Sequence, residues 1–98
     1  MIKLKIKFKD GHRYSFSGEV IESKYGYICL KNIKDQAGNI VKDYFNLYGT
    51  PNMASLKNAN IGDIIKFEAR TKVSNEIVRD FDNITKVKLI KKDSEEIF

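Results

Sequence analysis

An alternation of apolar and polar residues from Ile64 to Val73 restricts the fold of this chain more than any other feature. Successive side chains of a β-strand point to opposite faces, so a period of two indicates a strand with one buried face. Phe67 falls on the apolar side of the pattern and Lys66 on the polar side. The segment therefore predicts a half-buried strand, and the pattern excludes a helix because helical faces recur about every 3.6 residues.

The same period of two recurs elsewhere and predicts further short strands. Residues 2–9 alternate apolar residues with lysines, and the pattern resumes over 13–23 after the tight-turn pair Asp10-Gly11, which predicts a hairpin. Gly18 lies inside the second strand of this hairpin and indicates a bulge or a sharp bend. The remaining predicted elements are strands at 27–33, 40–48 and 83–91, a loop at 35–39 and a polar connection at 74–82.

A short helix is predicted at about 51–58, because Thr50 is a suitable N-cap and Pro51 suits the first helical position. Residues 1–92 are expected to form one domain, and residues 93–98 an acidic, flexible tail. With the helix between the third and fourth barrel strands, the order of elements predicts an all-β fold, a five- to six-stranded Greek-key barrel of the OB-fold kind. An SH3-like barrel is the main structural alternative, and it has no helix at that place.

A wider pattern over roughly residues 14–90 resembles a group of small OB-like proteins of low-GC Gram-positive bacteria, their phages and integrative elements. The pattern includes segments 28–33 and 82–87 and the Gly62-Asp63 turn that opens the strand at 64. The segment Asp43-Tyr44-Phe45-Asn46 matches one that tends to read Asp-His-x-Trp in that group, so Tyr44 and Asn46 stand here in place of the His and the Trp. The resemblance implies an OB fold, which serves single strands, oligosaccharides and proteins alike as ligands.

Charge and cysteine content bear on the partner and the compartment. Eighteen Lys and Arg against thirteen Asp and Glu give a net charge of +5, which allows an anionic partner but also serves solubility alone. Cys29 is the only cysteine, so no intrachain disulfide can form and a reducing, cytoplasmic location is expected. Neither a signal-peptide pattern nor an apolar run of about 18 residues is found, so neither export nor a membrane span is expected.

The sequence offers no recognisable catalytic centre. His12 is the only histidine and has no neighbouring cysteine or carboxylate pair, so neither a zinc site nor a catalytic triad is predicted. Cys29 stands in an apolar run and is expected to pack as a small hydrophobic residue. No Gly-rich phosphate loop or nucleophile motif is found. We therefore expect a protein that is not an enzyme, with no metal site and no cofactor.

A candidate binding face is predicted on the strands at 27–33 and 40–48. Tyr44 and Tyr48 share one side of the later strand, whereas Phe45 and Leu47 should point into the core. Aromatic rings on such a face can stack bases while nearby cations neutralise phosphates. The predicted binding residues are Lys24, Tyr25, Tyr27, Lys31, Lys42, Tyr44, Tyr48, Arg70 and Lys72. The alternative for each tyrosine is that it covers an end of the barrel with its hydroxyl in water.

Two further sets of basic residues could bind an anion, but each also has an interpretation that involves no ligand. One is an alternating set of lysines whose spacing fits a phosphate backbone. Lysines on an exposed strand also prevent edge-to-edge aggregation, and we favour this second interpretation. It consists of Lys3, Lys5, Lys7 and Lys9. The other is a possible basic strip near the 74–82 connection, whose acidic residues favour a mixed-charge surface instead. It consists of Arg70, Lys72, Arg79, Lys86 and Lys88.

Two functions of different classes fit these features. The first is a module that binds single-stranded nucleic acid with little sequence preference. The second is a protein-binding inhibitor or anti-defence protein of a phage or mobile element that acts on a host nuclease complex, since a small rigid domain with a tyrosine-rich face suits a protein interface. A structural subunit that completes its barrel edge in an oligomer is a third possibility.

Overall fold

The computed structural model describes residues 5–24, 26–48 and 59–91, and its regular structure is five β-strands. They are β1 (Arg13–Lys24), β2 (Tyr27–Lys34), β3 (Ile40–Tyr48), β4 (Ile64–Ser74) and β5 (Ile77–Ile90). Neighbouring strands are antiparallel, in the order β3-β2-β1-β4-β5. The all-β prediction is confirmed, and β1 to β4 begin and end within one residue of the predicted bounds.

The sheet curls into a half-barrel, and its edge strands β3 and β5 approach each other through aromatic side chains. The ring of Phe45 on β3 meets Phe81 on β5 edge to face, with centroids 4.9 Å apart. Phe67 on β4 packs against both rings, at 5.9 Å from Phe45 and 5.7 Å from Phe81. Aromatic rings bury large apolar areas and prefer such tilted contacts, so this cluster stabilises the curl.

The core lies inside the curl and is built from alternate positions of the strands. On β4, Ile65, Phe67 and Ala69 are buried, whereas Lys66 and Arg70 are exposed, which confirms the predicted alternation. Full burial of one large apolar side chain stabilises the fold by about 1.5–3 kcal/mol. A thin core of this kind therefore depends on each inward-facing residue.

Gly18 lies in the part of β1 that pairs with β4 and packs closely against side chains of β2. The register of β1 against β2 shifts between Ser17 and Glu19, which confirms the irregularity that the glycine indicated. A Cβ atom at residue 18 would lie 2.7 Å from Cδ1 of Ile33 and 3.0 Å from Cβ of Leu30. Only a residue without a side chain lets these neighbours pack so closely.

Residues 5–9 form no strand, so the predicted N-terminal hairpin is wrong in this part of the chain. β4 pairs with the first half of β1, the stretch that the hairpin would use, and β2 pairs with the second half. The segment packs through its apolar side chains instead. Phe8 is buried against the ring of Tyr14, with centroids 4.8 Å apart, and the hydroxyl of Thr71 donates to the carbonyl of Lys9 over 3.2 Å.

The connection predicted at 74–82 is also wrong, because β5 begins at Ile77. Asn75 and Glu76 form a two-residue turn with φ values of 53° and 63°. A hairpin turn of this type requires positive φ at both central residues, and its twist matches the flanking strands. Val78 and Phe81 then enter the core, so the first part of β5 is a strand of the sheet rather than a polar connection.

The loop predicted at 35–39 is confirmed by its hydrogen bonds. The Asp35 carboxylate accepts from the backbone N–H groups of Ala37 and Asn39 at 2.9 and 3.0 Å. This short-range capping allows an almost completely buried aspartate at the β2–β3 connection. The helix predicted at 51–58 and the tail at 93–98 lie outside the described residues.

Candidate binding face

The outward side chains of β1, β2 and β3 form three cross-strand rows, which we call the tyrosine face. Their inward neighbours, such as Ile28 and Leu47, are buried, so the intervening positions point outward. The rows, each read from β1 to β3, are Lys24, Tyr27 and Tyr48; Glu22, Cys29 and Asn46; and Glu19, Lys31 and Tyr44. This arrangement confirms that Tyr44 and Tyr48 share one side of β3, opposite to Phe45 and Leu47.

Two tyrosines are held together at one end of the face. Tyr27 and Tyr48 are register partners, and their ring centroids are 5.8 Å apart with planes tilted by 35°. The hydroxyl of Tyr27 donates to Oε1 of Glu22 over 2.8 Å, and Nδ2 of Asn46 donates to the hydroxyl of Tyr48 over 3.2 Å. Each ring is therefore anchored at its polar end while its apolar part faces outward.

The anchor between Tyr27 and Glu22 changes how both groups titrate. The hydrogen bond from Tyr27, followed by attraction to Lys24, lowers the pKa of Glu22 despite some desolvation. The same hydrogen bond raises the pKa of Tyr27, and desolvation adds to that effect. At neutral pH the pair is therefore a carboxylate and a neutral phenol, which is the combination that hydrogen-bonds.

Tyr44 and Tyr48 are the most open aromatic rings of the described chain, at 62% and 63% exposed. Together with Asn46 and Lys42 they line a shallow depression of about 280 Å³ that Asp80 of β5 borders on the far side. Large apolar groups that stay in water without a packing reason are candidates for contact with a ligand.

The tyrosine face has two cations in its rows, Lys24 and Lys31, and we count Lys42 with it because Lys42 lines the same depression as Tyr44. The three cations differ in their partners. Lys24 lies 3.5 Å from a carboxylate oxygen of Glu22, and Lys31 lies 3.8 Å from one of Glu19. Among the described residues, no carboxylate lies within 4 Å of the Lys42 ammonium group. Lys42 is thus the predicted cation here that forms no ion pair with a described residue, and Asp80 is the carboxylate that lines the same depression.

Glu19 and Glu22 are the members of the face that the sequence interpretation missed. A signal was present for Glu22 alone: a tight connection at Gly26 places Lys24 opposite Tyr27, and the next outward residue of β1 is then Glu22. Glu19 points outward because the register shifts after Val20, which only the pairing of β1 with β2 shows. The consequence is an acidic column on β1, beside the mixed column of β2 and the aromatic column of β3. A phosphate backbone is repelled from the first and tolerated near the third.

Arg70 and Lys72 project from β4, which neighbours β1. Arg70 is the register partner of Arg13, at the end of β1 that is far from the rows of the tyrosine face. Arg70 donates from Nε and a terminal nitrogen to the two carboxylate oxygens of Asp82, at 2.9 and 3.1 Å. This bidentate pair lowers the pKa of Asp82 and raises that of Arg70. Lys72 is the register partner of Asp80. Of the predicted site residues, these two and Lys42 are not part of the rows, although Lys42 lies beside them next to Tyr44. Tyr25 lies outside the described residues.

The other predicted basic groups are also mixed with acidic ones. Glu68 lies within 4 Å of both Arg13 and Lys86, at 3.8 and 3.6 Å, so the suggested strip on β4 and β5 alternates in charge. Lys5, Lys7 and Lys9 are exposed, and Lys7 lies 3.9 Å from Glu76, whereas Lys3 lies outside the described residues. A regular row of cations is therefore not found on either surface in the described part of the chain.

Cys29 is half-buried in the middle row of the tyrosine face rather than in the core. Burial, together with the charge of Glu22, raises the pKa of its thiol, which disfavours the reactive thiolate. His12 is exposed beside the Asp10-Gly11 turn. Within the described ranges, no three His, Cys, Asp or Glu side chains gather closely enough to hold a metal ion. In those same ranges, no helix has the length and apolarity needed to cross a membrane.

Comparison with known proteins finds no matching family model, no matching curated protein and no matching solved structure.

Proposed function

We propose that this chain is a non-catalytic module that binds single-stranded nucleic acid on the tyrosine face. The observation that carries the proposal is the combination of the anchored pair Tyr27 and Tyr48 with the open ring of Tyr44 on one exposed surface. Stacking of one base on an aromatic side chain contributes about 1–3 kcal/mol, and it tolerates every base because each has a flat aromatic face. Single strands present such faces, whereas duplexes hide them.

The strand order supports a finer proposal for the fold. β1 pairs with both β2 and β4, and the sheet edges β3 and β5 approach each other, which is compatible with a five-stranded Greek-key barrel of the OB kind. In such barrels the face of the second and third strands is the usual ligand surface. The tyrosine face occupies the corresponding place, and the resemblance to small OB-like proteins belongs to the same proposal.

The charges of the face support one direction for the ligand's backbone. Glu19 and Glu22 balance two of the three cations of the face and repel phosphate from the β1 side. Lys42 lies by the aromatic column on β3, where a phosphate group gains attraction without displacing a carboxylate partner. The proposed backbone path therefore runs along β3, with the bases over the rings.

Fluorescence anisotropy with labelled oligo(dT) of about 12 nucleotides, within the usual site size of one such domain, tests the proposal. Binding should weaken steeply between low and moderate salt because counterions are released on binding. Lys42→Ala should weaken binding and reduce the slope of log Kd against log salt by about one. Lys66→Ala removes the same charge from the outer side of β4 and is the matched control, with an unchanged slope at moderate salt. Absence of binding at low salt with micromolar protein would refute the proposal.

The acidic column favours a second candidate of another class. Because Glu19 and Glu22 reduce the positive charge around three tyrosines, the same face suits a protein partner, as in an inhibitor or anti-defence protein that acts on a host nuclease complex. The two candidates differ in one observation. A stoichiometric protein partner that remains after nuclease treatment, combined with no oligonucleotide binding, would favour this second candidate.

A further inference from the structure

The middle row of the tyrosine face places hydrogen-bonding groups between the two exposed rings of β3. Tyr44 and Tyr48 are four residues apart on one strand and Asn46 lies between them, so consecutive outward positions are about 6.7 Å apart. One nucleotide of an extended strand spans such a step. A strand that stacks on both rings therefore carries one nucleotide over the middle row, where Asn46, Cys29 and Glu22 lie side by side.

Glu22 is the carboxylate of this row. Its Oε1 accepts from the Tyr27 hydroxyl, and an ionised carboxylate has further acceptor positions on both oxygens. The side chain is 46% exposed, so these positions face the space above the row. The anchor to Tyr27 and the neighbouring Lys24 ammonium group at 3.5 Å limit how far the carboxylate can move.

A carboxylate in this place favours bases with an exocyclic amino group and disfavours those with a carbonyl there. Cytosine presents an N4 amino donor, which Asp and Glu side chains accept from, whereas thymine and uracil present an O4 acceptor at the same position. With the phosphates on the β3 side, the base edge points across β2 towards Glu22. Attraction to the amino group and repulsion of the carbonyl then act together.

We infer that the tyrosine face selects cytosine over thymine or uracil at the nucleotide above the middle row, with Glu22 as the specificity-determining residue; this rests on the proposed binding of single strands. A single charge-assisted hydrogen bond at an exposed site corresponds to a preference of about threefold to tenfold in Kd. The proposal thus goes beyond general stacking, which treats all bases alike.

The test compares labelled oligo(dC) and oligo(dT) of about 12 nucleotides by anisotropy, together with oligo(dT) that carries one cytosine at successive positions. The wild-type chain should bind oligo(dC) about threefold to tenfold more tightly than oligo(dT). Glu22→Gln should bring this ratio to about one, and it should also bind oligo(dT) more tightly because a repelling charge is lost. Tyr27→Phe keeps the ring and the carboxylate and should keep a preference for cytosine.

Two results would overturn the inference while the proposed function stands. One is equal wild-type affinity for both oligonucleotides, and the other is a Glu22→Gln variant that weakens binding to both in equal proportion, which would mean that Glu22 acts only by positioning Tyr27. Failure of the wild-type chain to bind any of the oligonucleotides would instead overturn the proposed function and the inference with it.

Discussion

Tyr27 and Tyr48 face each other across β2 and β3 with ring centroids 5.8 Å apart, and each hydroxyl is hydrogen-bonded to a different neighbour. The contact holds an exposed ring, Tyr48, against a half-buried one, Tyr27, before any ligand arrives. Such pre-organisation reduces the entropy that binding must overcome, since fewer side-chain rotamers are lost on contact. Mutation to Phe or to Ala can therefore distinguish the contribution of each ring to binding from the contribution of its hydroxyl.

Replacement of the exposed rings should separate binding from folding. Tyr44→Ala and Tyr48→Ala should each weaken oligo(dT) binding by about tenfold, because one stacking contact is lost. Tyr44→Phe and Tyr48→Phe keep the ring and should stay within about twofold of wild type. Since both residues are more than half exposed, all four variants should unfold at nearly the wild-type temperature, as measured by circular dichroism. Equal losses for Phe and Ala would contradict stacking.

The bidentate pair of Arg70 and Asp82 predicts that Arg70 contributes little to binding, although its sequence position suggested a phosphate contact. Arg70→Ala should change oligo(dT) affinity by less than about twofold at physiological salt, where the Debye length of about 8 Å screens distant charges. Lys42→Ala removes the same formal charge and should weaken binding several times more. Anisotropy on the two variants checks this, and the reverse ranking would place the ligand on β4 instead of β3.

The hydrogen bond from Tyr27 to Glu22 predicts a local dependence on pH. The pKa of Glu22 is lowered in the folded chain, so the stabilising effect of this contact is complete above the unfolded pKa of about 4.3 and is lost as pH falls through the folded pKa. A ¹³C NMR titration of the side-chain carboxyl should give a midpoint below the ordinary value. Tyr27→Phe should raise that midpoint, whereas Tyr48→Phe, which removes a hydroxyl that does not contact Glu22, should leave it unchanged.

Close packing around Gly18 predicts that adding a single methyl group there lowers the stability of the fold, although charge and polarity do not change. Gly18→Ala should lower the free energy of unfolding by about 1–3 kcal/mol, because the new methyl group overlaps Ile33 and presses on the Cβ atom of Leu30. Chemical denaturation measures this loss. The neighbouring change Ser17→Ala is the control and should stay within about 0.5 kcal/mol of wild type. An unchanged Gly18→Ala midpoint would mean that the bulge can open at little cost.

Local alternation was enough to predict β1 to β4, but not the conformation of residues 5–9 or the first half of β5. β4 could be predicted almost residue by residue, because its inward and outward positions follow a period of two from Ile65 to Thr71. The same pattern over residues 5–9 led to the wrong prediction of a strand. Alternation indicates which side chains are buried, but not whether the backbone pairs with a neighbouring strand. That outcome depended on β4, far away in sequence, taking the free edge of β1.

The first half of β5 was missed for a different reason. Its turn consists of Asn75 and Glu76 rather than Asn and Gly, and a glutamate with positive φ is an uncommon turn residue that no local rule favours. Asn83 and Lys86 also have positive φ, and with the register shifts against β4 they break the alternation of buried residues along β5. The tyrosine face was predicted in its aromatic part, whereas its acidic column needed the pairing of β1 with β2.

The position of β1 between β2 and β4 has a consequence for the nascent chain. During synthesis, β1, β2 and β3 leave the ribosome first and can form a three-stranded meander through neighbouring hairpins. The other edge of β1 includes Phe16 and Gly18 and pairs with β4. Its backbone amides have no strand to bond with until β4 has emerged. Until β4 has left the ribosome, the unfinished domain offers an unpaired strand edge to any extended peptide nearby, so the emergence of residues 64–74 ends a period of aggregation risk.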